Sequence, residues 1–283
     1  MKLVTWNIQW CLGCDGRVDP QRIVDDARAL ADFDVLCVQE VAANFPALRG
    51  SRGEDQFALL AAALPGFTAI SGVAVDSLAR DGTRRRFGNM ILSRLPVRWA
   101  VTTLLPWPSD PGVRNMPRVL VEAVVDAPFG PLRVMTTHLE YYSALQRAAQ
   151  VEAVRQRHEE ACAQALGGGS DEGEDGPFER LTQTVSAVLT GDFNFRPDDP
   201  LHARLGEGHG DPAVPVLEDV WQKLHPGEPQ PPTIGVHDCH QWPDAFACDF
   251  IFASSDLRSR LRAITVDALS NASDHQAMAV ELT

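Results

Sequence analysis

Apolar residues recur along this chain with two different periods, and the change from one to the other marks out its elements. Residues 2–8 alternate as a half-buried strand does and lead into the Gly-rich turn Leu12-Gly13-Cys14-Asp15-Gly16. Asp19-Pro20 follows as an N-cap with proline at the first helical position, opening an amphipathic helix to about Leu30. The apolar run 34–39 predicts a buried strand ending at Glu40. The first unit is therefore strand, helix, strand, with a polar group at each strand end.

A second helix is expected over 54–64, stopped by Pro65-Gly66, and strands near 67–75, 87–93, 96–105, 118–126 and 132–138. Their short connections predict antiparallel pairing. A long helix follows over 143–166, then a strand over 185–192, a helix over 216–224, a Pro-rich loop over 226–232, and strands over 249–253, 261–266 and 276–282. The stretch 167–176 is Gly, Ser and acid; it offers no apolar face, so a disordered loop is expected there. Helices fall between groups of strands and no linker interrupts the pattern, which predicts a single α/β domain over 1–283.

The strand over 185–192 runs into Gly191-Asp192-Phe193-Asn194-Phe195. Period 2 puts Asp192 and Asn194 on one face and the two phenylalanines on the other. A Gly-Asp-x-Asn string is also a common turn, so its weight depends on its company. That company is a set of polar residues at strand ends in widely separated segments: Asn7, Glu40, His138, Asp192, Asn194, Asp249, Asp274 and His275. Singly, each reads as a solvated acid or an edge histidine. Jointly, they supply hard oxygen ligands suited to Mg²⁺ and imidazoles able to protonate or hydrogen-bond a phosphoryl oxygen. Hydrolysis of a phosphate ester is the chemistry such a set serves.

A net charge of −13 opposes loose binding to nucleic acid or to an anionic membrane. Asn7 and Gln9 interrupt the apolar start before it reaches the length of a signal-peptide core, and irregularly spaced cysteines suit reduced thiols, so a cytoplasmic monomer is expected.

Trp6-Asn7-Ile8-Gln9, Val38-Gln39-Glu40, Gly88-Asn89-Met90-Ile91-Leu92-Ser93-Arg94, Pro117-Arg118, Thr137-His138-Leu139, Gly191-Asp192-Phe193-Asn194, Cys248-Asp249-Phe250 and Ser273-Asp274-His275 occur in this order. The series resembles the endonuclease/exonuclease/phosphatase superfamily, the DNase I-like fold, from residue 3 to 282. The resemblance implies a four-layer α/β sandwich: two mainly antiparallel sheets face to face, helices outside, and the site at one rim. It implies Glu40, Asn7 and Asp274 as ligands of Mg²⁺, with Mn²⁺ as the alternative ion. Asp192 and Asn194 are then expected to orient and deprotonate the attacking water, and His275, held by Asp249, to bond the scissile phosphate. His138 falls at a second phosphate-side position, and Asn89 and Arg118 are expected on phosphate oxygens. Gln9 departs from the pattern: abasic-site repair endonucleases of this superfamily carry an aspartate there. Its loss, with the acidic surface, argues against DNA repair.

The expected activity is that of a phosphodiesterase on nucleic acid or a smaller phosphodiester. The alternatives are a phosphatase acting on a small phosphomonoester and a binding module that has lost the chemistry. Tyr141-Tyr142 follow a site-bearing strand, so Tyr142 is expected to touch substrate. Trp10, Trp107, Trp221 and Trp242 are divided between substrate stacking and packing. Arg84-Arg85-Arg86 reads as a solvated turn. Cys11-x-x-Cys14 and His237-Asp238-Cys239-His240 have spacing compatible with structural zinc, with free thiols the expectation.

Overall fold

A computed structural model describes residues 1–167, 176 and 178–283. The elements in order are β1 (Lys2–Asn7), α1 (Pro20–Leu30), β2 (Val35–Ala43), α2 (Gln56–Ala63), β3 (Thr68–Leu78), β4 (Arg84–Ser93), β5 (Val97–Leu104), β6 (Val119–Ala127), β7 (Gly130–His138), α3 (Ala144–Gly167), β8 (Ala187–Asp192), α4 (Pro200–Leu205), β9 (Leu217–Asp219), α5 (Val220–Leu224), β10 (Asp249–Ser254), β11 (Leu261–Val266) and β12 (Met278–Leu282). They build two six-stranded sheets, ordered β11-β12-β1-β2-β4-β3 and β5-β6-β7-β8-β10-β9. Each sheet has one parallel pair, β1 with β2 and β7 with β8. These are the pairs whose connections contain α1 and α3, because a parallel return needs a long crossover.

Strand alternation sorts the apolar residues into three layers. Leu3, Val35, Cys37 and Ile91 of the first sheet meet Val121, Val188 and Ile251 of the second between the sheets. Val4, Trp6, Leu36 and Val38 point the other way, onto Ile23, Ala27, Phe57 and Leu60 of α1 and α2. Leu189, Phe250 and Phe252 pack toward Val151 and Val154 of α3. Both faces of the central strands are therefore covered, which is why they read as near-continuous apolar runs. The helix, sheet, sheet, helix order is the expected four-layer DNase I-like sandwich.

Three local differences from the sequence reading have physical causes. β4 starts at Arg84, so the arginine run is strand and not a turn; Arg84 pairs with Asp76 and Arg86 with Asp55. The helix expected over 216–224 is shorter, because Leu217–Asp219 pairs with β10 and the Asp219 carboxylate caps α5 by accepting from the Trp221 and Gln222 N–H groups. α4, capped by Asp199 with Pro200 at its first position, is too short to show a helical period in the sequence. The loop expected over 167–176 lies outside the described residues apart from its ends, Gly167, which closes α3, and Gly176.

Candidate active site

One rim of the sandwich collects the polar strand ends, and strand direction explains why. The parallel pairs bring the carboxyl ends of β1, β7 and β8, with Asn7, His138 and Asp192, to the same side, and Glu40 follows the last β2 residue paired with β1. β10 and β12 run antiparallel to β8 and β1, so the same rim receives their starts. Asp249 stands in register with Asp192, and Asp274-His275 lie just ahead of Met278.

The side chains meet there. Asn7 Nδ2 donates to Asp192 Oδ2 at 2.9 Å and lies 3.4 Å from Glu40 Oε1 and 3.5 Å from His275 Nε2. Asp192 Oδ2 also faces His138 Nε2 at 3.4 Å and His275 Nε2 at 3.7 Å, while its Oδ1 accepts the Asn194 N–H at 2.9 Å. His275 Nδ1 bonds Asp249 Oδ2 at 2.8 Å. Asp274 Oδ2 accepts from Gln9 Nε2 at 2.8 Å. Asn194 Nδ2 donates to Leu139 O, tying the end of β8 to the end of β7.

Two backbone devices aim these groups. β2 does not stop at Gln39, as the apolar run suggested, but continues to Ala43 through a register shift between Val38 and Val41. Glu40 sits within that irregularity at φ 63°, a left-handed conformation costly for a non-glycine residue. The bulge turns Glu40 into the site. Gly191 has φ 141°, and a Cβ there would lie 1.9 Å from Thr137 O of the neighbouring strand. Gly191→Ala is therefore expected to destabilise the protein by about 2 kcal/mol or more and to reduce turnover by displacing Asp192. Urea denaturation and steady-state rates check both parts, and a wild-type midpoint contradicts the packing argument.

Burial dominates the electrostatics. Glu40 is pushed up to about 7 by burial and by Asp274 and Asp192, against the pull of His275 and Arg118. Asp192 rises to about 6, through burial and Asp249, although His275 and the Asn7 and Asn194 donors pull it down. Burial disfavours the cation of His275, yet Asp249 and Asp192 outweigh it and hold this imidazole well above its ordinary value. Burial, then Arg118 and His275, hold His138 well below, so it is neutral. Both histidines face Asp192, but they shift in opposite directions, because His275 alone has a second carboxylate, Asp249, bonded to Nδ1 at 2.8 Å, whereas at His138 burial and two neighbouring cations prevail.

Carboxylates crowded out of water are a charge arrangement that a divalent cation relieves. The Glu40 and Asp274 carboxylates are the hard oxygens Mg²⁺ or Mn²⁺ prefers, so they fit such an ion; Asn7, expected as a third ligand, instead turns Nδ2 toward Glu40 while its Oδ1 accepts the Gln9 N–H at 3.1 Å. Cys248, Asp249 and His275 also place ligand atoms within 4.8 Å of one another. Burial and Asp249 keep the Cys248 thiol protonated, and it donates to Asp249 Oδ2 at 3.5 Å, so this trio is a hydrogen-bonded chain rather than a metal centre. The cysteines of the zinc spacing do not assemble: Cys11 is in the core, Cys14 contacts Ser273 O, and Cys239 is exposed.

Above these groups opens a cleft of about 760 Å³, lined among others by Glu40, Arg118, His138, Asp192, Asn194, Asp274 and His275. Arg118 is buried, its Nε on Glu140 Oε2 at 3.1 Å and its Nη1 without a partner. Tyr142 lines the cleft with Arg114 over its ring, and Tyr141 packs edge-on to both Tyr142 and Trp242. Trp10 lines it too, whereas Trp221 is core and Trp107 is half exposed, bonded to Asn115. Asn89 must be corrected. It is buried between the sheets, donates to Val119 O at 3.3 Å, and is not among the cleft residues. A larger groove of about 870 Å³ beside β5 has no acid or imidazole among its described lining residues.

One group escaped the sequence reading. Glu140 is fully buried, accepting from Arg118 Nε and from the Tyr142 N–H. Its position directly after Leu139, past the end of a site-bearing strand, was the available signal. Trp242, divided in the sequence between stacking and packing, lines the cleft and donates Nε1 to Asp274 Oδ2, a contact nothing local announced.

Fold and rim together define a phosphoesterase class, with carboxylates, an amide and an imidazole gathered at the floor of one cleft. The Endonuclease/Exonuclease/phosphatase family profile matches residues 4–275. The chain belongs to that family, whose members are phosphoesterase hydrolases. Among solved structures it is similar to an endonuclease/exonuclease/phosphatase from Beutenbergia cavernae DSM 12333, with 25% identity, TM-score 0.67, and 100% of this chain and 71% of that one covered. It is also similar in fold to the mannosyl-6-phosphatase Bt3783 of Bacteroides thetaiotaomicron VPI-5482, with 17% identity, TM-score 0.63 and coverage of 100% and 99%. A humanized D. rerio TDP2 gives 17% identity, TM-score 0.62 and coverage of 100% and 98%. None of the curated proteins matches the chain by sequence. Among the described residues no helix is long and apolar enough to cross a membrane.

Proposed function

We propose that the protein is a divalent-metal-dependent phosphodiesterase that hydrolyses its substrate by in-line attack of water. The observation that carries this reading is the meeting of Asp192 with Asn7, His138 and His275 around one carboxylate oxygen. Glu40 and Asp274 would hold Mg²⁺ or Mn²⁺, with Asn7 bonded beside them to Glu40 and Asp192, and the ion supplies charge stabilisation for the phosphoryl oxygens when bound.

The chain's own residues do the rest. Asp192, raised to about 6, is a base close to neutrality, where proton transfer from water is most effective. Asn194 fixes its orientation through the backbone N–H. His275 keeps its proton because Asp249 bonds Nδ1, so Nε2 presents an N–H to the phosphate. Neutral His138 and the free Nη1 of Arg118 offer further donors. Tyr142, Tyr141, Trp242 and Trp10 give the cleft aromatic walls suited to a ring or base carried by the ester. That favours a diester with a bulky group over a small sugar phosphate.

The test is hydrolysis of bis-p-nitrophenyl phosphate and p-nitrophenyl phosphate with and without Mg²⁺ or Mn²⁺, followed by a panel of single-stranded DNA, RNA and short oligonucleotides. Metal-dependent cleavage of the diester at the higher rate is expected. Cleavage of the monoester alone would replace this reading with a phosphatase, and no cleavage of any ester would remove it.

A further inference from the structure

Asp274 carries more hydrogen bonds on one oxygen than that atom can fully use. Gln9 Nε2 at 2.8 Å, Trp242 Nε1 at 3.1 Å and Gln241 Nε2 at 3.4 Å all converge on Oδ2. A carboxylate oxygen has about two lone-pair directions, so this one is saturated. Oδ1 is different. Among the described residues its one side-chain contact is Ser273 Oγ at 3.3 Å, and the single Ser273 hydroxyl proton goes to Asn7 O at 2.7 Å instead.

The donors are delivered by two segments built for the purpose. Gln9 opens a run of left-handed residues, Gln9, Trp10 and Cys11, at φ 42°, 44° and 60°. Such a run persists only when its surroundings over-determine it; here Gln56 Nε2 bonds Trp10 O and Trp10 Nε1 bonds Arg49 O. Trp242 comes from a loop whose base is fixed by bridges from Ile234 to Phe246 and to His275. Gly235, at φ 76°, turns that loop back, and a Cβ there would crowd Trp242 Cβ at 3.1 Å. The indole is half-buried, its ring edge against Tyr141 at 6.0 Å and Phe246 at 6.4 Å. Ring packing thus holds the N–H on Oδ2 even though the loop is at the surface.

We propose that Trp242 and Gln9 are positioning residues for divalent-cation binding: their N–H groups occupy Oδ2 of Asp274, lock its rotation, and leave Oδ1 as the one oxygen this residue offers to the ion. The inference rests on the reading of Asp274 as a metal ligand. Partners that hold ligand carboxylates commonly set metal affinity by ten- to a hundredfold. Trp242→Phe keeps the ring and removes the N–H; Gln9→Leu removes the other strong donor.

The probe is Mn²⁺ alone, followed by electron paramagnetic resonance of the free ion in titrations of wild type, Trp242→Phe and Gln9→Leu. Thermal melting establishes that each variant is folded. The Kd for Mn²⁺ is expected to rise by about tenfold or more in each variant, and the Mg²⁺ concentration for half-maximal hydrolysis to rise in parallel. If one variant does not fold, the other carries the test. Wild-type protein that binds Mn²⁺ with the same Kd as both folded variants, or more weakly than they do, overturns the positioning role alone. Wild-type protein that binds no Mn²⁺ removes the metal-ligand reading and this one with it.

Discussion

Asp192→Asn is expected to lower kcat by on the order of 10³-fold or more while the protein remains folded. The substitution keeps the shape and can still accept the Asn194 N–H, but it cannot take a proton from water. Its effect on stability is small or favourable, because burial and Asp249 already make the Asp192 charge costly. His275→Ala is expected to reach a similar loss of kcat by another route. It removes the cation held by Asp249 and leaves that carboxylate buried with the Cys248 thiol as a remaining donor. An unpaired buried charge costs about 3–5 kcal/mol, so this variant should also melt earlier. The two profiles, one catalytic and one catalytic plus structural, are read from initial rates on bis-p-nitrophenyl phosphate and from circular dichroism melts. Wild-type turnover by folded Asp192→Asn would remove Asp192 as the base.

Much of this site is legible in the sequence because strand ends carry their polarity there. Asn7, His138 and Asp192 each end an apolar run, and runs joined by a helix predict parallel neighbours, which must deliver their ends to one rim. Glu40 was legible in identity but not in mechanism. The run suggested a strand that stops there, whereas β2 bulges at Glu40 and continues. A bulge is a pairing event with β4, and a single segment cannot announce it. Asn89 failed for a related reason. Its neighbours match the family's pattern, but alternation along β4 turns its amide into the gap between sheets, where Val119 O is the partner. The Cys11-x-x-Cys14 interval was only compatible with zinc, and an interval says nothing of direction: Cys11 faces the core under α1. Glu140 and Trp242 act through residues named from sequence, Arg118 and Asp274, and such support is fixed by tertiary approach alone.

Glu40 links stability to function with a sign that experiment can check. Its folded-state value of about 7 exceeds the ordinary 4.5, so the folded protein holds a proton that the unfolded chain has already released within that window. Stability without metal therefore falls as pH rises from about 4.5 to 7, by about 3 kcal/mol for a shift of this size. Glu40→Gln removes the ionisation. In EDTA at pH 8 the variant is expected to be more stable than wild type by up to about 3 kcal/mol, with the gain fading toward pH 4.5. Addition of Mg²⁺ should reverse the order, since a ligand that binds only the folded state stabilises it by an amount that grows with the logarithm of one plus the ratio of its concentration to its Kd, and Glu40→Gln has lost an anionic donor. Wild type should gain in melting temperature with Mg²⁺ while the variant gains little and hydrolyses nothing. A variant less stable than wild type in EDTA at pH 8 would mean that the Glu40 charge is satisfied by the protein itself. The crowding of carboxylates would then be no reason for a cation to bind, and the metal assignment would lose its physical ground while the Asp249 and His275 pair kept its own.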